Sequence, residues 1–277
     1  MPQTSEEPQV FGRGDYRVAM HDLREAGLVP GSMAYVMGRR ADLNNKHRLI
    51  FLPVFATGDG ACYDGKGNAA VVLDAQDLWN LNPDSKLKSS ALPLAPERLE
   101  ELRRGDKVLY ILKKEVKIIN RSGYVKEKGS GRYVPASDSV EKFWNFVARG
   151  KVNVDDYARM VGEESRSDNI MEISFDTDSY NSPIMRAWIV GAVGGNWRSD
   201  AAGDLSLDYD ARLAAANSES AGGAPQISHE ATETIKAHTP QDVEKAKEST
   251  AKLRKASDLG VVQLEIVQSL EDLLRKL

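Results

Sequence analysis

Between Ser199 and Glu230 the chain is dominated by Ala, Ser, Gly, Asp and Asn, with few large apolar residues. A segment of that composition buries too little apolar surface to offset the entropy of ordering its backbone. The reading therefore divides the 277 residues into four parts. They are a flexible arm over 1–14, an α+β body over 15–198, a linker over 199–238 and a helical tail over 239–277. The local order expected within the linker is a transient helix at Tyr209 to Ala216.

The body mixes helical and strand patterns. Asp15 is placed to cap a helix whose apolar face is Tyr16, Ala19, Met20 and Leu23, with Gly27 as its stop. Met33 to Gly38 and Arg48 to Phe55 read as strands of a hairpin around the polar turn Asp42 to Lys46. Thr57 to Asn68 reads as a glycine-rich loop, and Ala69 to Leu73 as a short strand. Asp74 then caps a helix through Leu81. Pro96 opens a helix that runs to about Arg104. Lys107 to Asn120 and Tyr124 to Val134 carry the strongest β composition, with a Gly129-Ser130-Gly131 turn. Ser137 or Ser139 starts a helix bearing Phe143, Trp144, Phe146 and Val147, and Val154 to Val161 forms another. Ile170 to Phe175 reads as a strand. Pro183 opens a helix through Ile184, Trp188 and Val193. Trp144 and Trp188 are assigned to the core, and Trp197 to an exposed contact. The expected fold class is α+β, a mixed or antiparallel sheet with flanking helices.

The tail begins well at Thr239-Pro240-Gln241-Asp242, a cap, a first-turn proline and an early carboxylate. Val262, Ile266, Leu270, Leu273 and Leu277 recur at intervals of three and four and form one apolar face. A helix of about 17 residues is marginal alone in water, so this face needs a partner. The partner is the chain's own body, a helical hairpin with Val243 to Leu259, or another subunit or docking protein. A long linker favours the last, because it lets the helix reach a neighbour.

Net charge is −4, yet Arg103 to Tyr133 holds ten basic residues against three acids. Lys107, Lys113, Lys117, Arg121, Lys126, Lys128 and Arg132 are interleaved with Tyr110 and Tyr124. Cations that follow phosphates and rings that stack on bases are how single-stranded nucleic acid is held. The same pattern also suits a solvated strand face guarded by lysines.

Asp59-Gly60-Ala61-Cys62 resembles the nucleophile segment of ovarian-tumour-type cysteine proteases. In that family the cysteine begins a helix, whose N-terminus lowers the thiol pKa. Here Asp64-Gly65-Lys66-Gly67-Asn68 follows, which is turn chemistry, and the partner histidine would be His229 or His238. The loop does not complete a dinucleotide or P-loop motif. His229-Glu230 lacks the second histidine of a zinc-protease helix. Asp176-x-Asp178 lacks the turn glycine and closing glutamate of a calcium loop, which Asn181 and Ala187 replace. Arg13-Gly14-Asp15 matches an integrin tripeptide, but Asp15 already serves as a helix cap.

No metal, cofactor or catalytic set is therefore expected. No run reaches the ~18 apolar residues of a membrane span, so no membrane insertion is expected. Met1 to Pro8 lacks a signal pattern, and a single cysteine suits a reducing, cytoplasmic or intravirion setting. The reading that unites these features is a non-enzymatic, homo-oligomeric assembly protein, such as a viral or phage particle component. Single-stranded nucleic-acid binding is the alternative, and a Cys62 hydrolase the remote one.

Overall fold

Residues 9–11, 14–42, 54–177, 180–194, 197–208 and 212–216 are described in the computed structural model. The expected tail, with Val262, Ile266, Leu270, Leu273 and Leu277, lies outside the described residues.

Strand β1 (Gln9–Phe11) leads to α1 (Tyr16–Glu25), β2 (Val29–Pro30) and α2 (Met33–Asp42). The long β3 (Phe55–Tyr63) and β4 (Ala69–Val72) precede α3 (Gln76–Trp79), β5 (Leu92–Pro93), α4 (Pro96–Arg103) and β6 (Val108–Ile111). Then come α5 (Lys113–Ile119), the hairpin of β7 (Ser122–Lys126) and β8 (Tyr133–Pro135), α6 (Asp138–Ala148) and α7 (Val154–Glu164). The described chain closes with β9 (Asn169–Ser174), β10 (Ile184–Val190), the small hairpin β11 (Val193–Gly194) and β12 (Trp197–Arg198), β13 (Ala201–Leu205) and β14 (Leu213–Ala216).

The main sheet runs β1-β14-β3-β10-β13-β9-β7-β8. The β14–β3 and β13–β9 pairs are parallel, and the other neighbours on this path are antiparallel. The fold is thus α+β with a mixed sheet, as the pattern of elements predicts. β3 divides one edge between two partners, β14 at Ala56 and β4 at Gly60 to Tyr63.

Both faces of the sheet centre are buried. Phe55, Ala61, Tyr63, Ile184, Trp188 and Val190 face a core shared with α2, α5, α6 and α7. Ala56, Cys62, Met185 and Ala187 face a second core with α1 and α3. Strands buried on both sides read as continuous apolar or small-residue runs, without the alternation of a half-exposed strand. This explains two corrections. Of the expected glycine-rich loop Thr57 to Asn68, the residues Thr57 to Tyr63 belong to the central strand β3. The run from Ile184 is strand β10, not a helix.

The glycines of β3 mark close packing. A Cβ on Gly58 would stand 2.6 Å from Trp79 Nε1 and 2.7 Å from Pro30 Cγ. Trp79 Nε1 donates to the Gly58 carbonyl at 2.8 Å.

The first part of the expected linker also requires correction, because β13 and β14 pair within the main sheet; its remainder over 217–238 lies outside the described residues. Their small residues are demanded by large neighbours. A Cβ on Gly203 would stand 2.7 Å from both Ala61 Cβ and Tyr63 Oη, and that hydroxyl donates to the Gly203 carbonyl at 2.7 Å. The body therefore continues through Ala216, and within the expected helix at Tyr209 to Ala216 the residues Leu213 to Ala216 form strand β14. Gln9–Phe11, assigned to the arm, is a strand on β14.

Three further elements differ. Met33 to Gly38 belongs to helix α2, which turns Met33, Val36 and Met37 into the core. Lys113 to Ile119 is helix α5 rather than strand, with Val116 and Ile119 buried. Ala75, not Asp74, occupies the N-cap of α3. Other expectations match. Asp15 caps α1 through the Arg17 N–H at 2.9 Å, and Ser137 caps α6. Phe143, Trp144 and Val147 are buried, and Trp144 and Trp188 lie in the core with no exposed surface.

Candidate functional site

The basic segment runs from the end of α4 through β6, which pairs with β4, into α5 and then the β7–β8 hairpin at one end of the main sheet. The Lys113 N–H donates to Asn68 Oδ1 at 2.8 Å, and Glu115 accepts from the Leu112 N–H at 3.1 Å. These bonds fix the start of α5. Its outer face carries Lys113, Lys114 and Lys117, with Ile118 59% exposed among them. Arg121 then turns the chain in the left-handed region at φ 60°, its N–H bonded to the Ile173 carbonyl at 2.6 Å. Gly123 follows where any Cβ would overlap the β9 backbone. The hairpin turn uses Gly129 at φ 96° and Gly131 at φ 70°, conformations that glycine adopts freely.

Of the predicted anion-binding residues, Lys113, Lys117, Arg121, Lys126, Lys128 and Arg132 are exposed. Arg104 and Lys114 join them. Among the described residues, none of these eight cations has a carboxylate within ion-pair distance. Lys107 is different, because its Nζ pairs with Asp74 at 3.0 Å.

The tyrosines are placed against expectation. Tyr124 is wholly buried, so its ring has no face for a base. Tyr110 is half-buried. The Arg103 guanidinium sits 4.4 Å from its ring centroid and also pairs with Asp64 at 3.0 Å. The Tyr133 hydroxyl donates to the Ser167 carbonyl at 2.7 Å. These rings hold the fold together, and the stacking half of the expected interface is corrected. Leu112, Ile118 and Val125 are the large apolar side chains exposed beside the cations. Sequence reasoning missed them by treating the segment as strand. The helical spacing of Val116 and Ile119 was the available signal.

Cys62 lies in β3 and is 1% exposed. Burial pushes its thiol well above the usual range, and the nearby Asp77 carboxylate adds to this. An activated nucleophile needs the opposite environment. No helix begins at Cys62, so the protease-like reading is corrected; His229 and His238 lie outside the described residues. Among the described residues no group of three or more His, Cys, Asp or Glu is placed to hold a metal ion.

A buried charge cluster lies elsewhere in the body. Asp59 has no exposed surface and accepts from the Met33 N–H at 2.8 Å and the Asp74 N–H at 3.0 Å. Arg149, just past the end of α6, binds Asp59 and also Asp74, the latter at 2.6 Å. Burial pushes the Asp59 carboxyl up, and the Arg149 charge opposes that rise. The cluster ties α2, β3, the turn before α3 and the end of α6 into one unit.

No family model matches the chain, and no curated protein matches it. A solved structure described as "Accommodation of massive sequence variation in Nanoarchaeota by the C-type lectin fold" is similar, with a TM-score of 0.50 and 15% identity. The likeness covers 78% of this chain and 100% of that one. It is a likeness of fold: the body is built like that C-type lectin fold.

Proposed function

We propose that this chain is a non-enzymatic binding and assembly protein. Its C-type-lectin-like body holds a polyanion on α5 and the β7–β8 hairpin, and its C-terminal helix makes subunit contacts. The observation that carries the reading is the set of seven exposed cations from Lys113 to Arg132 without carboxylate partners among the described residues. Such a surface follows phosphates electrostatically. With the tyrosines engaged elsewhere, it binds single-stranded nucleic acid through the backbone rather than by stacking. The similar structure is described as accommodating massive sequence variation. No helix among the described residues is long and apolar enough to cross a membrane.

The polyanion reading is tested by binding of a labelled single-stranded oligonucleotide across a salt series. The assembly reading rests on the stripe Val262, Ile266, Leu270, Leu273 and Leu277. It places the chain in a homo-oligomer inside a cell or a viral particle. Light scattering should give the full chain a mass several times 30.5 kDa. Ile266→Asp with Leu270→Asp should reduce it to the monomer. A mass unchanged by the double variant contradicts the subunit contact.

A further inference from the structure

The β7–β8 hairpin and α7 enclose an open groove of about 580 Å³. That volume lies in the range of ligand sites. Its floor joins Tyr133 to Gly162. A glycine inside a helix costs stability relative to alanine. Here it is required, because any Cβ at Gly162 would overlap the Tyr133 ring. The Tyr133 hydroxyl, bonded to the Ser167 carbonyl at 2.7 Å, holds that ring in place.

The walls differ in charge. Lys126 and Arg132 line the hairpin side, and neither has a carboxylate partner among the described residues. The α7 side carries Asp155, Asp156 and Glu163. Arg159 bonds Asp156 at 3.2 Å and Glu163 at 3.4 Å, which leaves Asp155 without a cation among the described residues. The three cations and three carboxylates of the lining cancel formally. The groove as a whole therefore favours neither a polyanion nor a polycation. It matches a ligand with a charge of each sign at its two ends.

We propose that this groove binds a zwitterionic peptide segment, its acidic group toward Lys126 and Arg132 and its basic group toward Asp155. The site overlaps the polyanion-binding face, and the two are told apart by Asp155. It shares two cations with that face but also needs Asp155, which a polyanion does not.

The test uses the full chain and three dye-labelled blocked tetrapeptides, Glu-Gly-Gly-Lys, Glu-Gly-Gly-Glu and Lys-Gly-Gly-Lys, followed by fluorescence anisotropy. The mixed-charge peptide should bind more tightly than either like-charged one. Asp155→Asn should weaken it by about two- to fivefold, the scale of one lost exposed ion pair. The same variant should leave oligonucleotide binding undiminished. Asp138→Asn, a comparable first-turn acid on α6, serves as the control and should change neither. Equal or tighter binding of the all-acidic peptide would assign the groove to the basic face and overturn the proposal. So would a mixed-charge peptide that does not bind, or one indifferent to Asp155→Asn.

Discussion

Arg149 and Asp74 both occupy left-handed backbone, at φ 56° and φ 52°, and their side chains meet at 2.6 Å. Non-glycine residues in that region cost conformational energy and persist where surrounding contacts hold them. Here the holding contact is the buried pair that Arg149 makes with Asp59. The cluster joins elements far apart in the chain: α2, β3, the turn before α3 and the end of α6.

Arg149→Met would leave the Asp59 charge buried without its guanidinium. Breaking a buried pair from one side costs about 3–5 kcal/mol. Denaturant unfolding should show a loss of that order. Asp59→Asn added to Arg149→Met should recover part of it, because the stranded charge is then gone.

Gly203→Ala separates a sheet strand from a linker. A Cβ there would crowd Ala61 and the Tyr63 hydroxyl at 2.7 Å. Overpacking of this kind costs about 1–3 kcal/mol. A thermal melt should fall accordingly, whereas an unchanged melting temperature would contradict the place of β13 in the core.

The acid limb of stability should depend on Asp64. Burial acts against its charge. Bonds from the Asn68 side chain at 2.6 Å and the backbone N–H groups of Lys66 and Asn68, with Arg103 beside it, more than offset that. The folded carboxyl is held below its ordinary 3.8. A depressed carboxylate contributes stability that is full above that value and is lost as pH falls through the folded one. Asp64→Asn should therefore be less stable than the parent at neutral pH. The gap should narrow as pH drops below 3.8. A gap constant with pH would contradict the role of the ionised group.

Local signals in the sequence were read well where one face of an element is polar. The Asp15 and Ser137 caps, the α1 face of Tyr16, Ala19, Met20 and Leu23, and strand β9 follow directly from periodicity and capping chemistry. The centre of the sheet was hidden for a physical reason. Residues buried on both faces lose their alternation, so β3 resembles a loop and β10 a helix. Small residues carry two meanings: Gly203 and Ala214 resemble a linker in composition yet fit beneath large side chains. The site was half legible. Its cations lie on the exposed surface, but Tyr110 and Tyr124 are drawn inward by contacts from other parts of the chain. No single-segment pattern encodes Arg103 over Tyr110 or the Tyr133–Ser167 bond that shapes the groove.

The most direct test of the account is the affinity of the full chain for a labelled single-stranded oligonucleotide, measured against salt concentration. Binding should weaken steeply as salt rises. The log–log slope should become shallower by about 0.7 for each phosphate contact removed. Lys114→Glu with Lys117→Glu should lose most of the affinity at fixed salt, and a duplex should bind about as well as a single strand. Absence of binding at low salt, or affinity insensitive to salt and to both substitutions, would contradict a polyanion-binding face on α5 and the hairpin.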